Sequence, residues 1–304
     1  MNKKIRLSII FSILFISAHA QDLIKSGPMV GYSTMQEVLL WVQTDEKAKV
    51  HFEYYEIDNP KIRFKTEEIE TIKKNGYVAK LIADQVAPGK KYKYEIFIND
   101  LKVERDYVME FQSQKLWKWR TDPPDVSFVI GSCSYVNEPQ FDRPGKPYGN
   151  NFEIFNSIHS KNPDFMLWLG DNTYLREPDW NSRTGFINRY SHTRALAELQ
   201  PLLASTHHYA TWDDHDFGPN NSDGSFWLKE TASEIFKLFW GNPNYDVTGK
   251  GGITGFFQWG DLDFFLMDNR YHRTSNNNFT EDRQLLGKDQ IDWLINALSF
   301  SQAP

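Results

Sequence analysis

Three short polar clusters combine residue types that bind metal ions: Gly131-Ser132-Cys133, Gly170-Asp171-Asn172-Thr173-Tyr174 and Trp212-Asp213-Asp214-His215-Asp216. Taken singly, each has an ordinary explanation. Gly-Asp is common in tight turns, an acidic run is commonly a solvated loop, and a lone Cys is commonly a buried thiol. Their shared position is harder to explain that way. Each follows an apolar run that reads as a strand, and open α/β sheets build their sites beyond the carboxyl ends of strands. Anionic groups that converge without Lys or Arg beside them repel one another unless a cation is present. The pattern points to a polynuclear metal site.

Each residue type has a chemical reason to be there. Asp171, at the first turn after a strand, can bridge two cations through its two oxygens. Tyr174 reaches the same ion if the turn is tight, and a phenolate is a hard anionic ligand that favours a ferric-type ion over zinc. Cys133 would bind as thiolate, with the metal driving deprotonation. Asp213 and Asp214 add hard oxygens, and Asn220 or Asn221 can add an amide oxygen, a set that also suits calcium. His215 can donate to a phosphoryl oxygen or protonate a leaving group. Arg270, just past Asp268, is placed to hold a phosphate bidentately. His207-His208 has no carboxylate beside it and reads as an ordinary loop or strand pair. Asp179, Trp180 and Trp227 fall in loops, where contact with substrate and plain packing are both open.

The elements that must position these residues divide the chain. Residues 22–118 carry short β-branched and aromatic runs, Val38–Val42, Lys49–Tyr54, Tyr77–Leu81 and Tyr92–Ile98, with turns at Asn75-Gly76, Pro88-Gly89 and Asn99-Asp100. Such spacing predicts an immunoglobulin- or fibronectin-type sandwich, with a corner tyrosine after Pro88-Gly89. Pro123-Pro124 marks a boundary. From 125 to 304 strands alternate with helices: Val126–Ile130, a helix bearing Phe152, Phe155 and Ile158, then Phe165–Leu169. A long helix around Ala195–Leu203 should lead to Tyr209–Trp212. A helix near Ser233–Phe239, a hairpin about Gly260-Asp261, and a last helix with Ile291, Leu294, Ile295 and Leu298 inward complete the pattern. The expected fold is an α/β catalytic domain preceded by an all-β sandwich.

The chain has 304 residues, 40% hydrophobic and 15% aromatic, a globular composition. Lys3, Lys4 and Arg6, the apolar run Leu7–Ile16 and Ala18-His19-Ala20 form an export signal, cleaved after Ala20, too short to span a membrane. Its removal takes the formal net charge from −6 to −9. An acidic surface argues against nucleic acid as a partner; a metal site still leaves room for a phosphate substrate. Cys133 is the single cysteine, so no disulfide forms within the chain.

Gly170-Asp171-x-x-Tyr174 with Asp213-Asp214-His215-Asp216 resembles the metallophosphoesterases, whose second signature is usually Gly-Asn-His-Asp/Glu. The Asp-x-x-Tyr spacing is similar to that of purple acid phosphatases, where tyrosinate binds iron. With Gly131-Ser132-Cys133, Trp212 and Met267-Asp268-Asn269-Arg270 added, the chain most resembles the PhoD-like alkaline phosphatases and phosphodiesterases, over roughly residues 22–304. The resemblance implies an exported hydrolase of phosphate mono- or diesters, small or polymeric, that uses iron and calcium ahead of zinc or manganese. It implies Cys133, Asp171 and Tyr174 as iron ligands, with Asp171 bridging, and Asp214 at the position of the signature Asn. It further implies His215 as the catalytic histidine and Asn220 or Asn221 as a calcium ligand, with Asn172, Asp213, Asp216 and Asp268 supporting them from behind. The family completes its site with a later segment rich in Asp and His. Here the last histidine is His272, so a C-terminally incomplete catalytic domain is expected. The competing expectation is an exported two-domain protein that holds metal or ligand without turnover.

Overall fold

The computed structural model describes residues 23–145, 148–149, 151–279 and 282–304; the expected export signal at 1–20 lies outside them. The first nine strands are β1 (Ile24–Ser33), β2 (Val38–Thr44), β3 (Lys49–Glu56), β4 (Phe64–Lys65), β5 (Ile69–Glu70), β6 (Val78–Ala83), β7 (Lys91–Ile98), β8 (Leu101–Val103) and β9 (Glu110–Gln112). One sheet runs β4-β3-β7-β8, with β5 on β3 and β9 on β7. It packs against β1, β2 and β6 over a core that includes Val30, Leu40, Phe52, Tyr54, Leu81 and Ile96. The corner tyrosine is Tyr92, whose hydroxyl accepts from the Ala87 N–H at 2.7 Å.

The later elements are β10 (Phe128–Gly131), α1 (Glu153–His159), β11 (Phe165–Leu169), α2 (Arg183–Arg194), α3 (Gln200–Ser205), β12 (His207–Thr211), α4 (Asp214–Phe217), α5 (Lys229–Phe239), β13 (Gly255–Trp259), β14 (Leu262–Leu266) and α6 (Lys288–Phe300). β10, β11 and β12 pair in parallel, in register from Phe128↔Phe165 to Leu169↔Thr211. The β13–β14 hairpin covers one face of these strands through Phe257, Trp259 and Leu266 against Phe165, Leu167 and Tyr209. The ring pairs there are close, Tyr209 stacking on Phe257 at 3.7 Å and Phe257 on Phe264 at 4.5 Å.

The two halves share a sheet. β1 pairs in parallel with β12 at Val30↔His207, making the six-stranded order β10-β11-β12-β1-β2-β6. Every residue of β2 is buried, because one face lies on the sandwich core and the other, through Leu39 and Trp41, packs with Tyr190, Phe239 and Trp240. A strand covered on both faces needs a continuous apolar run rather than alternation, which is what Val38-Leu39-Leu40-Trp41-Val42 supplies. At the seam a Cβ on Gly31 would stand 2.9 Å from the Gly241 carbonyl oxygen, so only glycine lets β1 approach there.

Two expected elements differ. The long helix around Ala195–Leu203 is instead α2, ending at Arg194, a 3₁₀ turn at Ala197–Leu199, and the short α3 with Pro201 in its first turn. Proline at that position starts a new helix and prevents one continuous rod. In α6, Ile291, Ile295 and Leu298 are exposed among the described residues, whereas Gln290 is buried. Gln290 ties the helix down: its amide bonds Thr254 Oγ1 and both the N–H and C=O of Asp268 at 2.6–2.9 Å. Polar anchoring, not the apolar stripe, docks α6.

Candidate metal centre

The carboxyl ends of β10, β11 and β12 deliver the three clusters to one place. The backbone after β10 is tied to that after β11 by Cys133 N–H to Gly170 O at 3.2 Å and Ser134 N–H to Asp171 O at 2.8 Å. The ends of β11 and β12 touch directly at Gly170, whose φ is +99°; a Cβ there would lie 2.7 Å from both Asp213 Cβ and Asp213 N. Cys133, Asp171 and Asn221 also have positive φ, 58°, 50° and 61°. Left-handed backbone is uncommon for residues with a Cβ.

Asp171 sits at the centre. Its Oδ2 accepts from the Tyr174 hydroxyl at 3.2 Å and lies 3.9 Å from Cys133 Sγ, while Oδ1 accepts from the His215 N–H at 3.2 Å. Asp171, Asp214 and His215 offer ligand atoms all within 4.8 Å of one another. The His215 ring lies 4.4 Å from that of Tyr174, and its buried Nδ1 has no hydrogen-bond partner. Asn172 Oδ1 and Asn269 Oδ1 are likewise buried and unpartnered. Burial, with Asp214 and Asp213 adding to it and His215 opposing, pushes the Asp171 carboxyl above the usual carboxylate range. Burial followed by the Asp171 charge and the Cys133 side chain pushes the Tyr174 phenol well up. Such shifts are the mark of an anionic cluster waiting for positive charge, and a bound cation reverses them. The donor set and the orphaned atoms fit a metal.

The surrounding residues hold this arrangement. Asp216 is fully buried and its carboxylate accepts the N–H groups of Asn172 (3.2 Å), Thr173 (3.0 Å) and Asp213 (3.1 Å), so it binds the Asp171–Tyr174 turn to α4. Asn172 Nδ2 donates to Thr211 O at 2.8 Å. Asp268, also fully buried, accepts from Trp212 Nε1 and from the N–H groups of Arg270, Tyr271 and Ile253 at 2.8–3.0 Å.

Arg270 does not stand free for a phosphate. Its Nε and Nη2 are within 2.6 and 2.5 Å of Asp213 Oδ1, and its Nη1 donates to Ser222 O at 3.1 Å. Asp214, 3.7 Å from Arg270 Nη2, also accepts the Asn221 N–H. Asn221 is therefore brought to the site by its backbone; both Asn220 and Asn221 are exposed. His207 and His208 are buried and structural: His207 bridges Gly31 O and the Gln112 N–H, and His208 bridges Trp168 Nε1 and Leu202 O. Asp179 is buried in an ion pair with Arg189 at 2.8 Å, Trp180 packs on the core, and Trp227 is exposed.

Sequence reasoning missed Tyr135 and Arg176. Tyr135 donates to Asp142 at 2.6 Å, accepts from Arg176, and sets its ring 4.9 Å from Tyr174. Arg176 lies two residues past the Asp-x-x-Tyr signal, the one hint available. Arg189 was also missed; besides Asp179 it holds Glu138 at 2.9 Å, so the loop after Cys133 is tied down by buried charge.

A family model described as a domain of unknown function (DUF7800) matches residues 21–116. No curated protein matches the sequence. Among solved structures, that of PhoD aligns with a TM-score of 0.74 at 19% identity, covering 93% of this chain and 61% of PhoD. Purple acid phosphatase PPD1 from seeds of yellow lupin (Lupinus luteus) aligns with a TM-score of 0.59 at 12% identity, covering 91% of this chain and 49% of that one. This chain thus spans about three-fifths of PhoD, and over that span it shares the fold of these two proteins.

Proposed function

We propose that the strand-end centre binds metal and hydrolyses phosphate mono- or diesters. The observation that carries this reading is the meeting of Cys133, Asp171, Tyr174, Asp214 and His215 beyond three parallel strands, with the neighbouring Arg270 already engaged by Asp213. Cys133, Asp171 and Tyr174 would hold a ferric-type ion, with thiolate and phenolate favouring iron over zinc. Asp171 and Asp214, with Asn220 or Asn221, would hold calcium. When bound, such ions supply Lewis acidity and neutralise charge on phosphoryl oxygens.

The chain's own residues supply the rest. Asp216 and Asn172 fix the Asp171 turn, and Tyr174 sets the His215 ring. His215, with Nδ1 unpaired, is the group that carries a proton to the leaving oxygen. Arg270 orients Asp213, and reaching a phosphate would require it to leave that carboxylate. The export signal read at residues 1–20 and the absence, among the described residues, of a helix able to cross a membrane are compatible with an exported protein acting on phosphate esters outside the cytoplasm.

Metal content by elemental analysis, paired with hydrolysis of p-nitrophenyl phosphate and its bis ester, tests the reading. Iron with calcium, and turnover abolished in Asp171→Asn, support it. A folded protein that takes up no metal at this centre overturns it. Metal bound through Asp171 with no turnover of either ester favours the second reading, a metal-holding protein without catalysis. The engagement of Arg270 by Asp213 is the observation on that side.

A further inference from the structure

The sheet β4-β3-β7-β8 contributes nothing to the strand-end centre, yet it carries its own convergence of ligand types. His51 of β3, Glu68 just before β5 and Asp100 in the β7–β8 turn offer atoms all within 4.8 Å of one another. Local structure brings them together. Thr66 and Thr71 tie the 66–71 segment to β3 at both ends, through Thr66 N–H to Phe52 O (2.9 Å), Phe52 N–H to Thr66 Oγ1 (3.0 Å) and Thr71 N–H to Ala48 O (2.8 Å). Asn99 ties the turn to the same strand, donating its N–H to Lys49 O (2.9 Å) and accepting the Lys49 N–H (3.0 Å).

His51 makes this more than a patch of surface carboxylates. It is only 4% exposed, and its ring is clamped flat on Phe97 with centroids 4.9 Å apart. Its buried Nδ1 has no hydrogen-bond partner. Glu68 Oε2 is 3.6 Å away, too far for a hydrogen bond and close enough to share a cation. Burial and the charge of Lys65 hold the imidazole below the usual histidine range, against the pull of Glu68, Asp100 and Glu53; a neutral imidazole is a common metal ligand. A buried ring nitrogen without a partner is desolvated for no return unless something arrives to bind it. Glu68 and Asp100, in contrast, are exposed.

We propose that His51 Nδ1, Glu68 and Asp100 form a second metal site, for a divalent cation of the zinc class, that cross-links β3, the 66–71 segment and the β7–β8 turn. One imidazole and two carboxylates with an open fourth position suit zinc. Calcium and magnesium prefer all-oxygen ligands. In tetrahedral zinc sites ligand atoms lie about 3.4 Å apart, so the ligand atoms, all within 4.8 Å of one another, would draw together on binding. Lys49 opposes occupancy, because its ammonium already pairs with Glu68 Oε1 at 3.2 Å.

The test is calorimetric titration of the chelator-stripped full chain with Zn²⁺, in an Asp171→Asn/Asp214→Asn background that disables the strand-end centre. One zinc should bind. His51→Gln and Glu68→Gln should each weaken it by more than about tenfold, since losing even an outer-sphere partner costs about 10–100-fold. Lys49→Met should tighten it, and zinc should raise the melting temperature of the parent but not of Glu68→Gln. Glu68 is exposed, so that variant carries the test if His51→Gln fails to fold. Zinc binding indifferent to both His51→Gln and Glu68→Gln overturns the site, and equal binding of Ca²⁺ overturns its zinc character.

Discussion

Gly170 sets how closely the loops after β11 and β12 can approach, because its missing Cβ leaves room for Asp213. Gly170→Ala should push Asp213 away and force a side chain into φ +99°. Overpacking of that kind costs about 1–3 kcal/mol, so the urea midpoint should fall and metal uptake with it. Unchanged metal affinity in a folded Gly170→Ala protein would show that the contact does not set the site. At this scale residue types were legible and partnerships were not. Asp171, Tyr174, Asp214 and His215 stand where strand-end logic put them. Arg270 reads from sequence as a phosphate clamp, yet its guanidinium is taken by Asp213, 57 residues earlier in the chain. No local spacing encodes such a long-range pair, and none signals Tyr135 or Arg189.

β12 shows how an element can be both a support and a sensor of acid. His207 donates from Nδ1 to Gly31 O and accepts from Gln112 at Nε2, joining β12 to β1 and β9. Burial pushes its imidazole down to about 4 and that of His208 to about 3. The unfolded chain protonates near the ordinary 6.5, so it binds protons first as pH falls. The His207 contribution to stability should therefore be level above about pH 6.5 and decline from there through pH 4, by on the order of 3 kcal/mol. Urea midpoints measured from pH 8 to pH 4 check this; a flat profile would mean the rings already titrate normally in the folded state. Strand positions were largely readable here, since continuous apolar runs such as Val38–Val42 and Phe165–Leu169 became buried strands. Helix faces were less so. Periodicity in Gln290–Leu298 named the right helix and the wrong buried side, because a stripe shows where apolar residues lie but not what covers them.

Composition and the prolines at 123–124 suggest a division of the chain into a sandwich and an α/β half. What no local pattern revealed is that they share one sheet and a core, in which Trp41 of β2 packs on Phe239 at 5.8 Å and donates to Leu238 O at 3.0 Å. Arg194 sits in the same core, its guanidinium 4.0 Å from the Trp240 ring and 5.7 Å from that of Trp41. Two halves that share a core should melt together, so calorimetry should give a single transition whose van't Hoff and calorimetric enthalpies agree. Two separated transitions would show independent domains. The shared seam also bears on inheritance. A bead-like module can be shuffled between genes as a cassette, whereas this sandwich would arrive with half of someone else's interior. Any successful recombinant must keep the Gly31–Gly241 approach and the His207 bridge, so the two halves are expected to descend as one unit.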